Sequence, residues 1–211
     1  MLTNQLVMNS KDRILQAAFQ EFALKGKEGA RVDEIAQRAG VNKAMIYYHF
    51  KSKNDLYRAV LRSIFNYIFP RVLEIVQQDR PLKKTLADLI DVYFETYTHR
   101  PELMKILLRE LADEGKEIIS LLIEMKEESP LLNTQPQLQC FNRWIKEGRM
   151  HPLDPRHTWI SFIGMTLIYF IGRPLFHSLL KLDEKEKQIL QGRKENIIDL
   201  LMHGLAANKH V

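Results

Sequence analysis

Residues 40–57 read GVNKAMIYYHFKSKNDLY. Gly40 tolerates a left-handed backbone and Asn42 is a good N-cap, so one helix ends at Gly40 and another begins at Lys43. The second of these is brief and runs to about His49. Ile46 and Phe50 lie four apart and define its inner face. Lys43, Ala44, Met45, Tyr47 and Tyr48 are left outside or on the flanks. Packing alone does not ask for two tyrosines, a histidine and the lysines at 43, 51 and 53 around so few core positions. The stretch is built to face something.

Upstream, a short helix from about Val32 to Ala39 turns Ile35, Ala36 and Ala39 inward. Joined through Gly40-Val41-Asn42, and with small Ala36 at the crossing, the two helices make a helix-turn-helix. Further back, Ser10 is expected to cap a first helix, with Asp12 in its first turn where the dipole favours an anion. Leu15, Ala18, Phe19 and Phe22 form its core stripe, and Gly26 suits a left-handed stop. Downstream, a fourth helix starting near Ser52 carries Leu56, Val60, Ile64 and Ile68. Pro70 is predicted to kink or break it. Pro81 and Pro101 sit where new helices can begin. The segments 130–137 and 151–155 read as loops, followed by an apolar helix at 156–179 and a last helix at about 183–207. Long alternating apolar-polar runs are absent, which argues against a sheet. The fold class is all-α.

The 211 residues are 45% hydrophobic and 27% charged, enough for one or two domains with a real core. A net charge of +5 permits a polyanionic partner without demanding one. The single cysteine, Cys140, excludes an intrachain disulfide and suits a reducing cytoplasm; it reads as a small buried hydrophobe. The N-terminus has no basic segment followed by an apolar run, so no signal peptide is expected. The run at 158–172 is about 15 residues against the roughly 20 of a membrane span, so a buried helix is expected and no membrane partner. The histidines show no metal-ligand spacing, and no P-loop, dinucleotide fingerprint or nucleophile elbow is present. Neither a metal, a cofactor nor an enzymatic activity is expected.

The span from Asp12 to Tyr57, through ILQAAFQEFALKG, VDEIAQRAGVNKAMIYYHF and KSKNDLY, resembles the DNA-binding domain of the tetracycline-repressor (TetR) family of bacterial transcription regulators. The resemblance implies that Lys43, Ala44 and Tyr47 touch base edges. It implies that Met45, Tyr48, His49 and Lys53 touch or flank phosphates. Arg31 stands near the start of the second helix, where the family often has Thr or Ser, and is expected to substitute for them as a phosphate ligand. Met45 departs from the small hydroxyl residue usual at its position and cannot donate to phosphate. The chemistry agrees: lysine donates to guanine O6 and N7, and a tyrosine ring meets the thymine methyl.

The family organisation divides the chain into a DNA-binding domain, 1–52, and a helical effector-binding and dimerisation domain, 53–211. The last two helices are more apolar than one core stripe needs, since Phe162, Met165, Ile168, Tyr169 and Phe176 wrap more than one face. A homodimer through a four-helix bundle follows. Tyr93, Tyr97, Met104, Leu108, Met125, Phe162, Met165 and Tyr169 are either plain core or the wall of a pocket for a lipophilic or aromatic effector. The expected function is a ligand-released homodimeric repressor acting on palindromic double-stranded DNA. An activator, a corepressor-dependent regulator and a protein-interaction adaptor are the alternatives.

Overall fold

A computed structural model describes residues 9–129, 135–182 and 185–205. Among them the regular elements are all helical: α1 (Ser10–Gly29), α2 (Val32–Ala39), α3 (Lys43–Phe50), α4 (Lys53–Gln77), α5 (Leu82–His99), α6 (Pro101–Ala112), α7 (Lys116–Glu128), α8 (Pro136–Lys146), α9 (Pro155–Leu180) and α10 (Glu186–Leu205). Most of the 130–137 loop lies outside the described residues, as does the 206–207 end expected for the last helix. Two compact units form. One holds the chain up to Asn66 together with Pro101–Glu124; the other holds Tyr67–Arg100 and the chain from Met125 onward. The first unit thus includes α6 and most of α7, helices that a single cut after residue 52 assigns to the second domain.

In the first unit, α1 is capped by Asn9, whose side-chain oxygen accepts from the Asp12 amide at 2.9 Å. The cap is one residue earlier than expected: Ser10 is already helical, and its hydroxyl serves another purpose described below. Ile14, Ala17, Ala18 and Phe22 are buried, while Leu15 and Phe19 are half-buried, so the core stripe is centred one residue off the predicted one. Gly26 has φ +72° and ψ 175°, a conformation that belongs almost solely to glycine. The break strips the carbonyls before it of the N–H donors of a continuing helix. Arg109 of α6 supplies replacements, donating to the carbonyls of Phe22 and Ala23 at 2.8 Å and of Leu24 at 2.9 Å. Next to it, buried Glu110 accepts the Tyr57 hydroxyl of α4 at 2.5 Å. Arg58 of α4 completes the attachment, with Glu117 at 2.9 Å and Glu124 at 2.5 Å on α7.

Ser52 caps α4, its hydroxyl accepting from the Asp55 amide at 3.0 Å. Pro70 does not break α4, which runs through it to Gln77. An internal proline removes one hydrogen bond, and the burial of Ile68, Val72 and Val76 around it outweighs that loss.

In the second unit, α5 is the central helix and packs against α9 and α10, with α8 against α9. It buries Leu82, Leu86, Leu89, Ile90, Tyr93 and Tyr97. Lys194 of α10 holds both Asp91 oxygens at 2.6 Å. α9 has 26 residues and is long and apolar enough to cross a membrane, by length and composition only. The helix is longer than the 158–172 run because Asp154 caps it, accepting from the Arg156 amide at 2.8 Å, and Pro155 occupies its first turn. Only 17% of its most apolar stretch is buried, so the helix expected to be buried is largely half-buried or exposed instead, and polar bonds tie it to α10. Arg173 pairs with Glu186 at 2.7 Å, and the Met165 carbonyl accepts from Arg193 at 2.7 Å.

Candidate DNA interface

The α2–α3 turn is fixed by local chemistry. Gly40 is left-handed at φ 63° and ψ 41°, which lets its N–H and that of Val41 return to the carbonyls at the end of α2. Asn42 caps α3, its side-chain oxygen accepting from the Met45 amide at 2.9 Å. Ile46 is fully buried and Phe50 nearly so, which fixes the rotation of α3. Lys43, Ala44, Tyr47 and Tyr48 are consequently exposed, Tyr48 by 81%. Met45 is half-buried on the flank. α2 is held to α1 by Glu21, which is buried and lies 2.7 Å from Lys25 and 3.4 Å from Arg38.

Three of the polar groups expected to meet DNA, Lys43, His49 and Lys53, already have protein partners. Lys43 forms an ion pair with Asp33 of α2 at 3.0 Å, and the carboxylate raises the lysine's pKa. His49 lies 2.9 Å from the Ser10 hydroxyl, which fastens the end of α3 to the start of α1. Lys53 turns back, its ammonium donating to the carbonyls of Glu28 at 3.2 Å and Ala30 at 3.3 Å. A phosphate must therefore take Lys53 from the carbonyls at the end of α1 or use the hydrogen that remains. Arg31 is exposed and its side chain makes no cap bond to α2. Sequence reasoning missed Asp33, Arg109 and Glu110, and the bond of Ser10 to His49. Their partners lie 10 to 87 positions away, and no local spacing marks them.

The eight residues expected to line an effector pocket are divided between the two units. Tyr93, Tyr97, Met125, Phe162 and Tyr169 are buried in the second unit, and Met165 is half-buried there. Met104 and Leu108 belong to α6 in the first unit, where Met104 is buried and Leu108 is 38% exposed. Within the second unit the rings form a continuous series. Trp144 neighbours Phe141 at 5.5 Å, Phe141 neighbours Trp159 at 6.1 Å, and Trp159 stacks on Phe162 at 5.4 Å. Phe162 meets Tyr93 at 6.1 Å, Tyr93 stacks on Tyr97 at 6.0 Å, and Tyr97 meets Phe170 at 5.1 Å. Burial pushes the Tyr93 and Tyr97 phenols well up from their ordinary value. A separate groove of about 530 Å³ between α9 and α10 is lined by Ile168, Phe176, Leu180, Ile189 and Arg193, and shares only Tyr169 with the expected wall.

A helical chain with a capped three-residue turn, a fixed second helix and outward lysine and tyrosines on it is a DNA-binding helix-turn-helix protein. Residues 14–60 match the domain described as bacterial regulatory proteins, tetR family, and residues 75–210 match the tetracyclin repressor-like C-terminal domain. The chain belongs to the TetR family of transcriptional regulators. It is 26% identical over 209 residues to the HTH-type transcriptional regulator RutR of Escherichia coli strain K12, covering 96% of this chain and 93% of RutR. It is 25% identical over 201 residues to the HTH-type transcriptional repressor NicS of Pseudomonas putida, covering 93% and 92%. The fold is shared with the regulator FadR of Bacillus subtilis in complex with stearoyl-CoA. That likeness has a TM-score of 0.69 at 20% identity and covers 91% of this chain and 97% of FadR. It is also shared with the ketosteroid regulator KstR2 of Mycobacterium tuberculosis, at a TM-score of 0.66 and 20% identity, covering 92% and 95%.

Proposed function

We propose that this regulator is a homodimeric repressor that binds a palindromic operator through α3 and is released by a lipophilic effector bound in the second unit. The observation that carries the reading is the orientation of α3: Ile46 and Phe50 are buried while Lys43, Tyr47 and Tyr48 face solvent. In this reading Lys43, Ala44 and Tyr47 meet base edges, and Arg31, Met45, Tyr48, His49 and Lys53 meet or flank the phosphates. A relative named as a repressor supports the sign of regulation.

Two features support the rest. Ile160, Ile168, Leu175 and Leu179 are exposed at near-helical intervals along α9, by 47% to 68%, and a second copy would cover such a stripe. Trp144 is fully buried, yet its indole N–H has no hydrogen-bond partner among the described residues, whereas the Tyr169 hydroxyl has His177 at 3.0 Å. Buried donors ordinarily find acceptors. A mostly apolar effector with a carbonyl or carboxylate oxygen would supply one, and the regulator FadR crystallised with an acyl-CoA offers that chemistry as a first probe. Effector affinity and operator affinity then oppose each other by one coupling free energy.

The test is retention of a duplex carrying the inverted repeat of the gene's own promoter, measured across a salt series with and without long-chain acyl-CoA. Specific retention that the ligand weakens is expected. Equal retention of a scrambled duplex defeats the DNA reading, and unchanged retention with every lipophilic probe defeats the effector reading.

A further inference from the structure

We infer that Asp33 is a specificity-determining residue of the DNA-reading face, whose carboxylate competes with DNA for the Lys43 ammonium so that only a base edge with well-placed acceptors wins it. The inference rests on the reading of α3 as the base-reading helix. Asp33 is the second residue of α2 and Lys43 the first of α3, brought together across the Gly40–Asn42 turn. Each carboxylate oxygen lies 3.0 Å from the ammonium. The pair is not what holds the two helices. Val32, Ile35, Ala36 and Ala39 on α2, and Ile46 and Phe50 on α3, bury that contact, while Asp33 is 70% and Lys43 48% exposed.

A carboxylate on the surface that approaches DNA repels every phosphate, so on affinity alone Asp33 is unfavourable. It does suit the first turn of α2, where the dipole favours an anion. Its effect on Lys43 differs between target and non-target DNA. An exposed ion pair is weak and readily exchanged. Guanine presents O6 and N7 side by side to a lysine in the major groove and takes it from Asp33. Elsewhere Lys43 stays with Asp33, its charge is neutralised, and it adds nothing to non-specific binding. Tyr47, one turn on, shares the outer stripe of α3 with Lys43.

The experiment uses the full chain as wild type, Asp33→Asn, Lys43→Met and the double variant. Each selects from a randomised 30-base-pair duplex library, and its affinity is then measured for the wild-type-selected duplex and for a scrambled one. Asp33→Asn is expected to tighten scrambled-duplex binding more than selected-duplex binding, narrowing their ratio by about threefold or more and flattening preference at one or two positions. In the Lys43→Met background the same change is expected to leave the ratio where Lys43→Met alone put it. Equal tightening on both duplexes, no change on either, or the same narrowing without Lys43 overturns the inference. Failure of the α3 reading itself looks different: Lys43→Met and Tyr47→Ala would both leave the selected preference intact, and the role of Asp33 would fall with it.

Discussion

At the scale of single residues, the first unit is tied by groups whose charge state can be tested. Tyr57 is buried against Glu110, and burial first, then that hydrogen bond, push its phenol far above its ordinary value near 10. The raised value means the folded chain holds this proton more tightly than the unfolded one. Stability from Tyr57, and from Tyr93 and Tyr97, is therefore fully present below pH about 10 and is lost as pH rises beyond it. Urea melts between pH 8 and 11.5 are expected to show that loss, and a flat profile would count against it. Tyr57→Phe leaves the buried Glu110 carboxylate without its donor and is expected to cost about 1–3 kcal/mol in the same melts at neutral pH. Cys140 is 3% exposed and its thiol is pushed up to about 11 by burial, so iodoacetamide is expected to label it only after denaturation. On the DNA face, Lys43→Ala and Tyr47→Ala should relax base preference at a cost of about 1–3 kcal/mol. Lys53→Ala should weaken all sequences alike and lower the salt slope by about one. Binding to an operator and its single-base variants separates the two classes.

At the scale of elements, much of the chain was legible because its signals are local. Gly40 and Asn42 bound α2 and α3 by backbone chemistry within a few residues, and the Ile46–Phe50 pair set which side of α3 is free. The sequence was less decisive where neighbouring residues offer the same chemistry. Asn9 and Ser10 are both good caps, and the choice between them depends on His49, 39 positions away from Ser10. Pro70 shows a related limit, since proline's local cost is readable and the packing that offsets it is not. Leu201 illustrates the limit on surfaces. It is 5% exposed while its neighbour Leu200 at 57% faces out, a difference that two adjacent leucines do not carry in the sequence. Ile168→Glu and Leu200→Glu are thus the changes expected to yield monomers if α9 and α10 form the dimer. Sedimentation of the wild-type chain as a monomer at micromolar concentration would rule that assembly out. Gly26→Ala tests another local device. An added Cβ meets Arg109 at an ordinary 3.5 Å, so the expected loss, about 1–3 kcal/mol in thermal melts, comes from the backbone conformation alone.

At the scale of the whole molecule, the two units interleave along the chain: the first is completed by residues that follow the α4–α5 segment. The helices that carry the DNA face were readable from residues 12–57, but what fastens them was not, because Arg109, Glu110 and Glu117 lie beyond a stretch belonging to the other unit. Arg109 gives this a consequence for how the protein is made and taken apart. A ribosome that has released only the first 66 residues has produced a helix-turn-helix whose leading helix ends in carbonyls awaiting a guanidinium not yet synthesised. The DNA-reading segment is therefore not a detachable module. A fragment ending at residue 66 is expected to exchange its amide hydrogens at 24–30 far faster than the full chain, and to regain protection when a 101–124 peptide is added. Equal protection in the fragment alone would show that the reader matures before its clamp arrives.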